Sequence, residues 1–344
     1  MAEPTPADAP ALEARDLGVT FPPRHGHGAA RAVDGVNLAL ARGEVLALIG
    51  ESGCGKSTLA RALVGLVEPT RGEIRYDGRP LVRSRSGLRE FRRHVQLVLQ
   101  DPYGALNPRQ NVYDAVAEGL RLHGQRQGLT RRVTEALEQV GMRPPDHFFD
   151  RYPHQLSGGQ QQRVVIAGAL TLGPDVLVAD EPVSSLDASV RGEILKLFLG
   201  LRDELGLAAL VVSHDLGLAW NIADRVAVMY LGRIVEVGRV EEVLLRPQHP
   251  YTRALLEAVP STSGKTPSAP LRGEPPDPTA IPQGCRFHQR CPLRAVLPED
   301  KARECLADVP VLPPGEDTRQ VACFHVDEWQ SASVDHRDPS EVST

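Results

Sequence analysis

Apolar residues fall along this chain in two alternating patterns. The runs DVLVAD (Asp175–Asp180), AALVVSHD (Ala208–Asp215) and RVAVMYLGRIVEVG (Arg225–Gly238) are nearly unbroken and of strand length. Apolar side chains on both faces predict strands buried in a parallel or mixed sheet. Between two of them, SVRGEILKLFLGLRDELG (Ser189–Gly206) repeats its apolar positions with helical spacing. From LEARDLGVTF to about Gln100, short apolar runs alternate with Gly-rich turns; VNLALARGEVLALIG (Val36–Gly50) reads as strand, turn, strand, and KSTLARALVGL as the helix after it. Between Asp101 and about Leu172 helical patterns dominate: VYDAVAEGLRLHG, RRVTEALEQVGM and GQQQRVVIAGALTL. A mainly helical subdomain, about 101–172, is therefore expected inside an α/β core.

The ends read differently. Residues 1–11 alternate Pro, Ala and acidic residues without an apolar period and read as a disordered tail. An ordered body is expected over 12–259, a Pro-rich linker over 260–283, and a small extension over 284–344 that carries four cysteines and a disordered end. The 39 basic and 44 acidic residues give a net charge of -5, which supplies neither a nucleic-acid footprint nor a polybasic membrane anchor. Arg83–His94, RSRSGLREFRRH, lacks the interleaved aromatics of a nucleic-acid site and reads as a solvated helical face. The acidic, Pro-rich start does not resemble a signal peptide, and no apolar run approaches the roughly 20 residues that cross a bilayer. Cys54 stands alone and Cys285, Cys291, Cys305 and Cys323 stand together, which suggests a reducing compartment with one localised cluster.

Three stretches carry phosphate chemistry. GESGCGKST (Gly50, Glu51, Ser52, Gly53, Cys54, Gly55, Lys56, Ser57, Thr58) fits G-x-x-x-x-G-K-[ST] between a strand and a helix, the context a P-loop needs. Its glycines let backbone N–H groups curl round phosphates, Lys56 adds charge to the same oxygens, and Ser57 offers a hydroxyl to Mg²⁺. Cys54 reads as a small tolerated residue. DVLVADEP ends a strand in two carboxylates: Asp180 suits the Mg²⁺ shell and Glu181 suits orienting the attacking water. In HQLSGGQQQRVVIAGAL, Ser157, Gly158, Gly159 and Gln160 leave a helix start bare enough for an anion, though taken alone they read better as an ordinary capped helix.

Together with Gln100 in VLQDP, SSLD (Ser184–Asp187) and His214 in VVSHD, these motifs stand in the order and spacing of ABC transporter ATP-binding subunits, and the chain resembles that family over roughly Leu12 to Val243. The resemblance implies a P-loop, RecA-like core with an antiparallel β subdomain and an inserted helical subdomain. It implies ATP and Mg²⁺, with Ser57, Gln100 and Asp180 near the metal. Glu181, His214 and Gln100 take catalytic roles, and Asp187 lies on the dimer face. LSGGQ (Leu156–Gln160) becomes the signature that faces a nucleotide held by a second subunit. Phe21 is either the aromatic that stacks adenine or a core phenylalanine.

QDPYGALNPR, ADEPVSSLD, HPYTRALLEAVP and GCRFHQRCP narrow the resemblance to the oligopeptide/dipeptide importers, a group that includes nickel-type importers, and within it to the second of two paired ATPases. That implies a homologous ATPase partner in a heterodimer, two membrane permeases and an extracytoplasmic peptide-binding protein, with this chain peripheral on the cytoplasmic face of the membrane. The rival is a soluble ABC ATPase of DNA repair or translation. The spacing C-x5-C-x13-C-x17-C admits a [4Fe–4S] cluster, zinc with help from His288 or His325, or free thiols.

Overall fold

The structure is a computed structural model that describes residues 9–23, 28–258, 273–313 and 319–328. The tail residues 1–8 and the linker residues 259–272 lie outside the described residues. Strands β1 (Leu12–Phe21), β2 (Ala30–Leu40), β4 (Arg71–Tyr76) and β5 (Arg79–Pro80) form an antiparallel sheet in the order β2-β1-β4-β5. The larger sheet contains β3 (Val45–Ile49), β6 (Val95–Val98), β7 (Val176–Asp180), β8 (Ala208–Ser213), β9 (Arg225–Tyr230), β10 (Arg233–Arg239) and β11 (Gln320–Val321). Its order is β11-β10-β9-β3-β8-β7-β6; the run from β9 to β6 is parallel, while β10 and β11 add antiparallel.

The strand–turn–strand of VNLALARGEVLALIG is present, but its two strands do not pair. β3 is buried at every position and lies between β8 and β9, whereas β2 mixes buried with exposed positions and joins β1 in the other sheet. A strand apolar on both faces must have layers on both sides; a half-polar strand can face water.

Between β6 and β7 the chain is helical: α3 (Pro102–Ala105), α4 (Val112–Leu122), α5 (Leu129–Gln139) and α6 (Gly158–Leu170). Asn111 caps α4 by accepting the Asp114 N–H, and Val112, Val116 and Ala117 pack with Val133 and Leu137 of α5 and Val164 of α6. The Arg-rich stretch forms α2 (Arg85–His94), which buries Phe91; Arg85 and Arg89 are exposed, but the expected solvated face is interrupted where Arg92 donates to the Gly65 carbonyl at 2.7 Å and His94 Nδ1 lies 2.8 Å from Asp175.

Two end segments are more tightly packed than their composition suggests. Ala9 and Ala11, expected in the disordered tail, are buried, and the Asp77 N–H donates to the Ala11 carbonyl at 3.3 Å. At the other end Pro278, in the expected linker, accepts the Arg31 N–H at 3.2 Å, and Phe287 is buried against Tyr230 and Tyr251 with ring centroids 5.3 and 5.4 Å away. Small, core-poor segments gain stability by borrowing apolar surface from a larger body.

Candidate nucleotide site

The register of the parallel strands assembles the site. Ile49 lies opposite Ser213, and Asp180 opposite Val212. The C-terminal ends of β3, β7 and β8 therefore share one sheet edge, where open α/β sheets bind ligands. That edge carries the loop Gly50–Gly55, the pair Asp180–Glu181, and His214.

The loop leads into α1 (Lys56–Leu63). Gly55 precedes the helix with φ 108°, and a Cβ there would stand 2.1 Å from the Ala32 carbonyl oxygen; a Cβ on Gly50 would stand 2.2 Å from that of Met229. Glycine at both positions is enforced by neighbouring backbone as well as by the turn. The Lys56 ammonium is buried and donates to the carbonyls of Gly50 at 2.7 Å and Glu51 at 2.9 Å, so its charge sits at the centre of the loop. Cys54 is buried and its thiol is pushed up by burial, which fits a packing residue rather than a reactive one.

Ser57 Oγ donates to Asp180 Oδ1 at 2.9 Å. Burial raises the Asp180 carboxyl above its ordinary value, and the neighbouring Glu181 charge adds to that rise while the Ser57 bond and the Arg61 charge oppose it. A hydroxyl and a buried carboxylate in contact are a donor set that fits Mg²⁺. Glu181 adopts φ 49°, a left-handed conformation uncommon for a residue with a side chain. Its N–H is held by the Val212 carbonyl at 3.0 Å, which fixes that conformation. The carboxylate is bracketed: Gln100 Nε2 donates to Oε2 at 3.2 Å and His214 Nδ1 lies 3.2 Å from Oε1. Gln100 and His214 are exposed, so this face opens to solvent.

The signature lies apart from this constellation and bonds to itself. Ser157 Oγ accepts the Gln160 N–H at 3.3 Å, and the Ser157 N–H donates to Gln160 Oε1 at 3.0 Å, a reciprocal capping box at the start of α6. Its two glycines differ. Gly159 is buried against α7 (Ala188–Leu205), where a Cβ would stand 2.5 Å from Val190 Cγ1, whereas a Cβ on Gly158 would meet Leu186 Cδ2 at an ordinary 3.6 Å. Asp187 precedes α7, exposed, with no side-chain cap bond. Phe21 is 40% exposed at the end of β1, which removes it from the core.

The four cysteines of the extension come together. Cys285, Cys291, Cys305 and Cys323 line one small cavity, yet among the described residues no group of three or more His, Cys, Asp or Glu side chains is placed to hold a metal ion. His288 and His325 line the same cavity; His288 Nδ1 lies 2.7 Å from the Cys285 carbonyl and His325 Nε2 3.1 Å from that of Lys301. Burial pushes the thiols up, to about 11 at Cys285 and about 12 at Cys323.

Sequence reading missed two residues at the P-loop. The Tyr251 hydroxyl, from the helix Pro250–Glu257, accepts the Glu51 N–H at 2.9 Å, and Arg290 grips the Glu51 carboxylate at 2.7 and 3.0 Å. An acidic residue inside a phosphate loop was the signal that a cation must stand nearby.

Residues 33–184 match the ABC transporter family, and residues 235–295 match the oligopeptide/dipeptide transporter C-terminal region. The chain is 44% identical over 330 residues to the dipeptide transport ATP-binding protein DppF of Haemophilus influenzae, covering 93% of this chain and 98% of that one. It is 44% identical over 309 residues to the di/tripeptide transport ATP-binding protein DppF of Pseudomonas aeruginosa, covering 88% and 93%. Among solved structures, cbiO1 of Clostridium perfringens, part of the transporter complex cbiONQ, superposes with a TM-score of 0.61 at 33% identity over 70% of this chain and 92% of that one. The dimeric post-hydrolysis cassette MJ0796, bound to ADP and Pi, superposes with a TM-score of 0.59 at 28% identity over 67% and 98%. The chain belongs to the ATP-hydrolysing subunits of ABC transporters, in the branch that carries the oligopeptide/dipeptide transporter C-terminal region.

Proposed function

We propose that this subunit energises the import of oligopeptides or dipeptides through membrane permeases, using two ATP molecules sandwiched between its own P-loop face and the signature of a homologous ATPase. The observation that carries the catalytic part is the bracketing of Glu181 between Gln100 and His214, beside the Ser57–Asp180 pair.

Residues 50–58 wrap the β- and γ-phosphates, with Lys56 as their counter-charge. Mg²⁺, held by Ser57, Asp180 and Gln100, would neutralise charge on the phosphate oxygens. The Glu181 carboxylate orients and polarises the attacking water, and its left-handed backbone aims it from the strand end. His214 lies against the same carboxylate and reaches toward the γ-phosphate. Gln100 opens the segment Gln100–Pro108, where a permease helix would sense closure. Ser157, Gly158, Gly159 and Gln160 present a helix start to the partner's γ-phosphate, so hydrolysis removes the bias toward the closed pair. Phe21, exposed, stacks adenine, and Asp187 lines the dimer face.

Peptide cargo is supported by the C-terminal region and by what the relatives' names say of those proteins. No helix among the described residues is long and apolar enough to cross a membrane; in this proposal the subunit sits at the cytoplasmic face and is attached through the permeases. The test is reconstitution with the permeases, the partner ATPase and the binding protein in vesicles. ATP-dependent uptake of labelled dipeptide supports the reading; uptake of Ni²⁺ without peptide, or co-purification with nucleic acid instead of permeases, overturns it.

The convergence of four cysteines on one cavity favours a second assignment, a [4Fe–4S] cluster held by Cys285, Cys291, Cys305 and Cys323. A cluster spans more than one ion, so its thiols stand farther apart than those round a single zinc, and four cysteine thiolates are the donor set such a cluster takes. Iron and acid-labile sulfide in anaerobically purified subunit support this assignment; absence of both refutes it.

A further inference from the structure

The C-terminal extension reaches the phosphate loop. Arg290 stands one residue before Cys291, and its guanidinium makes a two-pronged contact with Glu51, Nη1 to Oε2 at 2.7 Å and Nη2 to Oε1 at 3.0 Å. The pair is well shielded, with 5% of the Arg290 side chain and 21% of the Glu51 side chain exposed. Nη1 also lies 3.4 Å from the Tyr230 hydroxyl, and the guanidinium sits 5.8 Å from that ring's centroid. Burial works against the charge on Arg290, but the hydrogen bonds to Glu51 and Tyr230 outweigh it and keep the group ionised.

Every polar part of Glu51 is thereby fastened. Its N–H goes to the Tyr251 hydroxyl at 2.9 Å, its carbonyl takes the Lys56 ammonium at 2.9 Å, and its carboxylate is held by Arg290. A carboxylate in the second position of a loop built to surround a triphosphate repels the ligand that loop binds. Paired with a cation and turned aside, it does not.

Resting on the ATP site proposed above, we infer that Arg290 is a positioning residue for nucleotide binding: it cancels the Glu51 charge and fixes the entry to the P-loop, so the extension sets the ATP affinity of the cassette. A bidentate fork suits this task better than a point charge.

The test measures ATP binding to the full chain and ATPase kinetics of the assembled transporter. Arg290→Gln retains side-chain N–H donors and most of the volume but removes the charge; it should raise the KM for ATP, and its dissociation constant, on the order of tenfold. The kcat at saturating ATP should change less than about twofold, since Arg290 touches no reacting atom. Adding Glu51→Gln to Arg290→Gln should restore affinity to within about twofold, because no charge is then left to repel phosphate. Arg290→Lys should give an intermediate KM. Should Arg290→Gln bind ATP as wild type does, or should the double variant stay as weak as the single one, the inference falls and Arg290 is a mere staple. Wild-type chain that fails to bind ATP, with Lys56→Ala behaving identically, would instead overturn the nucleotide site itself.

Discussion

Replacing Gly158 by Asp should leave the subunit at least as stable as wild type and yet stop the transporter. The first turn of α6 contains no acidic residue, and a Cβ at Gly158 would stand 3.6 Å from Leu186 Cδ2 and 3.9 Å from the Tyr103 hydroxyl, both ordinary contacts. An acidic side chain at a helix N-terminus gains about 0.3–1 kcal/mol from the macrodipole, and loss of glycine from the helix adds to that. The same carboxylate would face the γ-phosphate of the partner's ATP. At a separation of about 5 Å and an effective dielectric of about 20, each pair of like charges repels by about 3 kcal/mol, enough for about a hundredfold loss of closed dimer. The assay pairs calorimetric Tm on the isolated chain with ATP turnover by the assembled complex. The expected result is an unchanged or higher Tm, unchanged ATP affinity of the isolated chain, and turnover reduced about a hundredfold or more. Gly159→Ala is the contrasting case, because its methyl would stand 2.5 Å from Val190 Cγ1 and overpack the α6–α7 contact by about 1–3 kcal/mol. Turnover at the wild-type rate in Gly158→Asp would refute the proposal that this helix start meets a nucleotide.

Two further outcomes follow from the geometry. Glu181→Gln keeps the shape of the bracketed side chain but not its charge, and should lower turnover by about 10²–10⁴ while ATP binding persists and a nucleotide-bound dimer accumulates on a sizing column; undiminished hydrolysis would remove Glu181 from its role. His249 is completely buried, and burial lowers its pKa from 6.5 to about 3. The native state therefore stays neutral where the unfolded chain takes up a proton, so stability is intact above pH 6.5 and falls by about 1.4 kcal/mol per pH unit between 6.5 and about 3. His249→Asn, which can still cap the Tyr251 N–H, should flatten the Tm-versus-pH curve in that window; an equally steep curve would show that other groups dominate.

The parts of the site that could be read from the residues alone are those where chemistry is local. A phosphate loop needs closely spaced glycines and a lysine in one short stretch of chain, so Gly50–Thr58 announces itself, and β3, β7 and β8 are buried at every position because both their faces are covered. What stayed hidden depends on contacts between distant segments. Periodicity does not say that β2 and β3, joined by a tight turn, enter different sheets. Nor does LSGGQ reveal that one glycine is required by Val190 while its neighbour is free to face a ligand. The left-handed Glu181 was equally invisible, since a DEP sequence does not betray a positive φ; the Val212 carbonyl that holds it comes from another strand.

The same reasoning bears on the C-terminal region, which composition presents as an appendage. Its buried side chains complete interactions that the cassette begins. Glu236 on β10 has no exposed surface and accepts the backbone N–H groups of Gln248 and His249 at 3.0 Å each, and Arg319 Nε donates to it at 3.0 Å. Arg286 is buried between the Asp34 carboxylate and the Leu231 carbonyl, so it joins the antiparallel sheet to the end of β9. Phe287 closes the ring cluster with Tyr230 and Tyr251, and Tyr251 in turn holds Glu51 of the phosphate loop. Removing the extension would leave a buried carboxylate short of its cation and uncover two tyrosines, both strongly unfavourable. The extension therefore packs on the cassette through buried polar and aromatic contacts, and its Arg290 reaches the loop Gly50–Gly55.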